Sequence, residues 1–358
     1  MDSLSQAALG AAVAEAVLAG RVGRRAAALG AALGTLPDLD VLVRHADAID
    51  AFTLHRSWSH SVFVLSLASL PLAALAHRLL DPGRAGAAAA GAAAPSGASG
   101  ASFGRWWLAV WAALVTHPLL DAFTTYGTQL FWPLPVPPVA IGSIFIIDPL
   151  FTLPLAGGLA VALLRPGARG RRANLVGLGA SGAWLLATLA LQQGARHEAL
   201  AAFEREGVST DSLVVLPFPF GVLWRAVALD GDDYAVVWVS LVDGAPGGAV
   251  ERRPRGLDAL ALDDPAPVER MRWFTGGFVG ARRIDDALVL TDLRIGTGAM
   301  PVFAFEVAET DGDRWRRTVA TERAPVVDVD ALGALVGRAT DAHAALEDGA
   351  LAGTDPTP

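Results

Sequence analysis

Long apolar runs crowd the first half of the chain, and shorter alternating ones fill the second. Ser61 to Leu80, Ile144 to Leu164 and Ala173 to Gln192 each approach the roughly 20 residues that carry an α-helix across the hydrocarbon core of a bilayer. Trp106 to Leu120 is shorter and is preceded by Phe103. These four runs predict membrane helices. Upstream, Leu4 to Gly20 and Ala26 to Leu36 are separated by Arg21, Arg24 and Arg25. The second of them would extend only about 17 Å as a helix, so a half-crossing helix and one arm of a hairpin both stay open. No basic residue precedes the first run, and Asp2 is its only early charge, which speaks against a cleavable signal peptide and for an N-terminus that stays attached.

Two stretches interrupt this pattern. Asp81 to Ser102 is rich in Ala, Gly, Ser and Pro and reads as a flexible cytoplasmic connector. Phe131 to Ser143 holds Pro133, Pro135, Pro137 and Pro138 and cannot be helical. It is expected as an extended loop at the outer interface, either anchored among headgroups by Phe131 and Trp132 or serving as a rigid connection. Beyond residue 193, Ser212 to Leu216, Trp224 to Leu229 and Tyr234 to Leu241 predict strands, with Asp230-Gly231-Asp232-Asp233 as a hairpin turn. Phe274 to Val279, Leu288 to Leu293 and Val302 to Val307 continue the series, Glu198 to Glu206 and Val329 to Glu347 look helical, and Thr354 to Pro358 should be a frayed tail. The pattern predicts a membrane α-helical bundle over residues 1–193, with 81–102 as linker. A soluble α+β domain with a mainly antiparallel sheet follows over 194–358.

Composition agrees with this division. Of 358 residues, 53% are apolar, and the mean hydropathy is +0.43. Such a balance suits a membrane protein better than an ordinary globular one. With no cysteine, disulfides and thiolate metal sites are excluded. Residues 1–193 carry 12 Arg against 9 acidic residues, whereas residues 194–358 carry 16 against 27. Neither half interleaves a basic patch with aromatics, so nucleic acid is not an expected partner. If the apolar runs alternate in direction, Arg21, Arg24, Arg25, Arg78, Arg84, Arg105, Arg165, Arg169, Arg171 and Arg172 share one side, and only Arg44 and Arg56 lie in the opposite loops. The positive-inside rule makes the first side cytoplasmic. The acidic C-terminal half is then extracytoplasmic, and the protein is a multi-pass resident of the inner (plasma) membrane.

The same orientation collects ionisable residues at the outer ends of the apolar runs, where such side chains are costly and usually functional. Asp38 and Asp40 follow Pro37, His55 and His60 flank Ser57-Trp58-Ser59, and His117 and Asp121 stand four residues apart. On a helix the last two share a face and can grip one cation. His55 and His60 would diverge on a regular helix, so one is expected to precede the helix that begins near Trp58, with Ser57 or Ser59 as cap. Helix capping accounts for aspartates such as Asp38 and Asp40 about as well as metal binding does, and it is the better account of Asp148. Recurrence at the ends of successive runs favours a metal: Asp38, Asp40, His55, His60, His117 and Asp121 are the candidate ligands. Imidazole and carboxylate without thiolate suit one or two divalent ions, zinc first, with manganese and iron left open. Such a site activates water for hydrolysis. Arg56 could stabilise developing negative charge or simply contact a headgroup or carboxylate, and Asp40 and Arg56 are the candidate catalytic residues. His45, Asp47 and Asp50 read as members of a solvated loop. Trp273, Asp292 and Arg294 are candidates for substrate contact in the second half, although ion pairs and core aromatics account for them more simply.

Taken in order, Met1-Asp2-Ser3-Leu4-Ser5-Gln6, Gly34-Thr35-Leu36-Pro37-Asp38-Leu39-Asp40, His55-Arg56-Ser57-Trp58-Ser59-His60-Ser61 and His117-Pro118-Leu119-Leu120-Asp121-Ala122-Phe123-Thr124-Thr125-Tyr126-Gly127-Thr128-Gln129 resemble the YdjM-like family of bacterial membrane-bound metal-dependent hydrolases. The resemblance covers most of the first 165 residues. It implies an inner-membrane, metal-dependent hydrolase with the six residues above at its metal site. Many relatives carry histidine near the place of Gln6, where this chain departs. A remoter likeness to zinc-dependent phospholipase C rests on Pro37-Asp38 and on the His117 to Asp121 spacing, and it makes a phosphoester or lipid-related compound the first substrate to test. Membrane lipids and a small-molecule or lipid substrate are the expected partners. The rival functions are a transporter, in which the same charges bind a translocated ion, and a non-catalytic scaffold with a structural metal. No pair of inverted repeats supports the former.

Overall fold

The computed structural model describes residues 1–18, 21–81, 100–242, 248–257, 262, 264–296, 301–310 and 315–324. Most of the expected linker 81–102, the expected helix Val329 to Glu347 and the expected tail lie outside the described residues.

Small residues dominate α1 (Ser3–Leu18) and α2 (Arg24–Thr35), and they decide how these helices meet. A Cβ on Gly10 would stand 2.2 Å from the Gly30 carbonyl oxygen and 2.9 Å from the Gly34 Cα, so only glycine permits this backbone approach. The two helices form an antiparallel hairpin, which settles the second apolar run as one of its arms. After α3 (Ala48–Leu54), α4 (Val62–Leu80) is capped by Ser61, whose hydroxyl accepts from the Val64 N–H at 3.3 Å. The expected start near Trp58 is instead a separate 3-10 turn, Trp58–His60. Extended backbone at Ser61 breaks the helical path between the two (φ −71°, ψ 127°).

Helix α5 (Phe103–Asp121) is the centre of this half, with Trp106, Ala109, Val110, Ala113 and Leu114 fully buried against α1, α2 and α4. Indole N–H groups of Trp107 and Trp111 donate to Ser69 and Ser66 on α4, each at 3.0 Å. Helix α6 runs Pro149–Leu164 and starts later than the apolar run that contains it. Its first turn is fixed by Asp148, whose Oδ1 accepts from the Leu150 and Phe151 N–H groups (2.9 and 3.1 Å) and from Trp184 Nε1 (3.1 Å). Among the described residues, α4 and α7 (Ala168–Arg205) are the helices long and apolar enough to cross a membrane, with mean hydropathies of 1.7 and 1.5. Helices α1 and α6 are apolar but shorter, and α5, expected as a fourth crossing, does not meet the same measure.

The second half forms two four-stranded antiparallel sheets where the sequence suggests one. Strands β1 (Ser212–Pro217), β2 (Leu223–Asp230), β3 (Asp233–Ser240) and β4 (Glu251–Pro254) pair in chain order, with Gly231 at φ 63° in the predicted turn between β2 and β3. Strands β5 (Val279–Ile284), β6 (Ala287–Asp292), β7 (Ala304–Thr310) and β8 (Trp315–Glu322) form the other sheet. Phe274, expected in a strand, lies near the end of α8 (Ala266–Thr275); the left-handed Gly276 stops that helix before β5 begins.

The joint between the halves is continuous. Helix α7 runs 38 residues, about 57 Å at 1.5 Å per residue, and passes the expected boundary at 193/194 without a break. Its Ala195, Ala199, Ala202 and Phe203 are buried with Trp224, Ala226 and Val237 of the first sheet. Just before them, the Gln192 amide donates to the carbonyls of Ile141 (2.8 Å), Gly142 (2.9 Å) and Val215 (3.0 Å). A second tie is α3, where a solvated loop was expected. Asp47 caps it by accepting from the Asp50 N–H at 2.8 Å, and its Ile49 and Phe52 join Phe274, Phe305 and Val307 in the core of the second sheet. Arg294 pairs with Asp292 at 2.8 Å and donates to the Tyr126 carbonyl at 3.0 Å, while Trp273 packs against the same core. These three residues have structural work, as their simpler reading holds.

Candidate metal centre

Three chain segments converge at one end of the helical half. The last turn of α5 supplies His117 and Asp121 on one face, 3-10 turn Pro37–Leu42 after α2 supplies Asp38, and His60 ends the 3-10 turn before α4. His117 Nε2 stands 3.3 Å from Asp121 Oδ2, 3.3 Å from Asp38 Oδ1 and 3.1 Å from His60 Nε2. His60 Nε2 is 3.3 Å from Asp121 Oδ2 and 3.5 Å from Asp38 Oδ1. Donors bonded at about 2.0–2.1 Å to one zinc stand about 3.4 Å from one another in a tetrahedron, and the five distances above fall near that value, with all four ligand atoms within 4.8 Å of one another. His60, His117 and Asp121 are buried, and Asp38 is partly exposed.

Both imidazoles are oriented from behind. His117 Nδ1 faces the Gly34 carbonyl at 2.5 Å, which places a proton on Nδ1 and turns Nε2 toward the cluster. His60 Nδ1 stands 2.9 Å from Ser59 Oγ, and Ser59 in turn donates to Asp40 Oδ2 at 2.6 Å. The glycine contact between α1 and α2 thus bears on the site, because it sets where the Gly34 carbonyl lies. Asp121 Oδ2 is buried without a hydrogen bond, 3.3 Å from both Nε2 atoms and 3.4 Å from Arg56 Nε. Burial works to raise the Asp38 carboxyl, and hydrogen bonds from His117 and His60 outweigh it and hold the group below the usual carboxylate range.

Asp40 and His55 stand apart from this set. Asp40 Oδ1 meets His55 Nδ1 at 2.8 Å, and Oδ2 accepts from the Arg56 N–H at 3.0 Å as well as from Ser59. Both its oxygens are turned toward residues 55–59, the segment that leads into His60. Burial raises the Asp40 carboxyl too, and the His55 and Ser59 hydrogen bonds bring it below the ordinary range. Arg56 is buried at a positive φ of 60°, a conformation that costs an L-residue about 1–2 kcal/mol. The turn aims its guanidinium inward: Nε is 3.4 Å from Asp121 Oδ2, Nη1 donates to Thr124 at 3.2 Å, and Cζ lies 5.0 Å over the Tyr126 ring.

The structure brings the first motif to the cluster, with Gln6 standing where many relatives carry histidine. Gln6 Nε2 donates to Asp121 Oδ1 at 2.9 Å and to the His117 carbonyl at 3.2 Å, and the Met1 amino group also contacts Asp121 Oδ1. Gly34 and Ser59 lie inside the motifs, and neither membership in a motif nor the expected capping role of Ser59 pointed to the histidine that each orients. Among the described residues, the Asp38, His60, His117 and Asp121 set is the one group of acidic and histidine side chains with metal-binding spacing.

A helical half that gathers two histidines and two carboxylates within 4.8 Å of one another, three of them buried, belongs to the class of helical proteins with a candidate divalent-metal centre. Residues 1–196 match the family model described as YdjM inner membrane protein. The chain belongs to that family, and its place is the inner membrane. No curated protein and no solved structure matches it, so the likeness to zinc-dependent phospholipase C rests on its two motifs alone.

Proposed function

We propose that this protein is a membrane-bound, metal-dependent hydrolase acting on a phosphoester or lipid-related substrate at the outer face of the inner membrane. The carrying observation is the convergence of Asp38, His60, His117 and Asp121, whose ligand atoms all lie within 4.8 Å of one another with three of the four residues buried. Those four residues would hold one divalent cation, zinc first by donor type. With a coordination position left open beside these ligands, such a cation would supply a bound water of lowered pKa and a Lewis acid for the scissile group. Asp40 positions His55 and His60, and Arg56 offers a cation beside Asp121 for an anionic substrate group. With both oxygens of Asp40 engaged by residues 55–59, the assignment of Asp40 and His55 as direct ligands gives way to this supporting role.

Metal analysis of the purified full-length protein should find about one zinc-class ion per chain, and the loaded protein should turn over a phosphoester. A metal-free wild type would sink the reading. A loaded protein that hydrolyses nothing and instead moves the ion across vesicles would favour a transporter.

The multi-pass topology and the outward C-terminal half are part of the same proposal. Because the chain has no cysteine, single replacements report on it cleanly. Ala140→Cys and Ser212→Cys, both at exposed positions, should react with an impermeant thiol reagent from the outside of cells, and Ala168→Cys only after the membrane is opened. The opposite pattern would invert the protein.

A further inference from the structure

The two sheets of the C-terminal half share an apolar core, to which Leu223, Val227 and Val236 of the first contribute together with Phe278 and Leu293 beside the second. At its margin lies a cavity of about 200 Å³. Arg225 on β2 and Tyr234 on β3 line it from the first sheet, and Arg282 on β5 and Thr291 on β6 from the second. Arg255, just after β4, and Arg323, just after β8, bring the lining to four arginines, against Asp292 as its one carboxylate among the described residues. None of the four clustered metal donors takes part, so the cavity is separate from the metal centre.

The protein itself leaves part of this polar lining unused. Asp292 is held from behind by Arg294, whose Nη2 meets Oδ2 at 2.8 Å and whose Nε meets Oδ1 at 3.0 Å. Arg323 Nη1 donates to Glu306 at 2.5 Å, while its Nε and Nη2 have no acceptor among the described residues. Arg255 meets carbonyl oxygens and no carboxylate among those residues: Gly277 at 2.7 Å, Gly231 and Val279 at 3.4 Å. Burial, and then the charge of Arg272, hold the Arg255 guanidinium below the ordinary arginine range, and Asp232 offsets only part of this. An anion beside it compensates for both effects. Tyr234 is buried, and its hydroxyl has no hydrogen-bond partner among the described residues. Such a group is costly unless something accepts its proton.

Size and lining narrow the ligand. The volume is below the roughly 300–1,000 Å³ of ordinary ligand pockets, which suits a molecule of a few heavy atoms. Guanidinium forks match a carboxylate in paired hydrogen bonds, and the Tyr234 and Thr291 hydroxyls can donate to the same kind of oxygen. Ile284, Val289 and Leu293 supply an apolar stretch of wall. It suits carbon atoms and offers no donor to the oxygens that surround an inorganic phosphate. We propose that this cavity binds a small organic dicarboxylate, its carboxylates held by the arginines and the Tyr234 hydroxyl and its carbon skeleton against the apolar wall. Because the lining comes from both sheets, the ligand ties them together.

Full-length protein held in an amphipathic polymer is titrated calorimetrically with succinate, with its neutral diamide succinamide and with inorganic phosphate. Succinate should bind with a Kd below about 1 mM, and the other two at least about tenfold more weakly. Tyr234→Phe should weaken succinate at least about tenfold, as the loss of a hydrogen bond to a charged group does. The ligand-free variant should unfold at no lower temperature than wild type, since the hydroxyl it lacks has no partner. Arg255→Gln should weaken succinate at least as much. Arg255 also ties the β2–β3 turn to β5 through its carbonyl contacts, so Tyr234→Phe decides alone if Arg255→Gln does not fold. Carboxylates bind metal ions as well, and His117→Ala should therefore keep the wild-type affinity for succinate. No succinate binding tighter than about 1 mM overturns the site. Phosphate as tight as succinate overturns the organic acid, and succinamide as tight as succinate overturns recognition by charge. Unchanged affinity in Tyr234→Phe or in folded Arg255→Gln overturns the placement, as does a loss of affinity in His117→Ala.

Discussion

His117→Ala should yield protein that folds but retains less than about a tenth of the wild-type metal and no phosphoester turnover. The residue touches every other member of the cluster, with Asp38, His60 and Asp121 within 3.1–3.3 Å of its Nε2. Losing even a group behind a metal ligand typically costs 10–100-fold in affinity, so losing the ligand itself should exceed about 100-fold. The replacement also leaves the Gly34 carbonyl without its imidazole partner, a penalty of about 1–3 kcal/mol if water cannot reach it. Asp40→Asn is the informative companion. It weakens the hold on His55 and Ser59 without removing any of the four donors, so it should fall in the 10–100-fold range. Metal titrations of the two variants against wild type check the order. A fully loaded His117→Ala protein would place the ion elsewhere.

Gly30→Val should be the most destabilising single change in the helical half, by about 3 kcal/mol or more. A Cβ at this position meets the Gly10 carbonyl oxygen at 2.2 Å and the Ala14 Cβ at 2.6 Å, and backbone has no rotamer with which to give way. The helices α1 and α2 must part, and the end of α2 carries both the Gly34 carbonyl behind His117 and the start of the turn that presents Asp38. Metal affinity should therefore fall together with the unfolding temperature, although no ligand has been altered. Gly104→Ala is the matched control, because nothing lies within 4 Å of a Cβ added there. Thermal unfolding and metal binding of the three proteins decide the matter, and a Gly30→Val protein that behaves as wild type would refute the close approach.

The legible part of the site was the part with regular spacing. His117 and Asp121 share a helix face by arithmetic, and Pro37-Asp38 marks the end of an apolar run. The illegible part was direction. Asp38 and Asp40 stand two residues apart on one tight turn, yet one faces the cluster and the other faces residues 55–59, a difference set by partners far along the chain. His55 and His60 divide in the same way. In the second half the hydrophobic strands and the turn at Gly231 announce themselves, whereas β4 (Glu-Arg-Arg-Pro) and much of β8 (Trp-Arg-Arg-Thr) do not. Both are edge strands with charged, exposed positions that blur the alternation, so one sheet was expected where two exist. Helix α3 was hidden by its length, since seven residues offer only Ile49 and Phe52 as a periodic signal.

Helix α7 has a mechanical consequence. A flexible linker would let the two halves tumble apart, but here one stiff rod is a wall of the first sheet at one end and a neighbour of α6 at the other. Swinging that sheet means leaning the rod, and leaning the rod drags α6 with it.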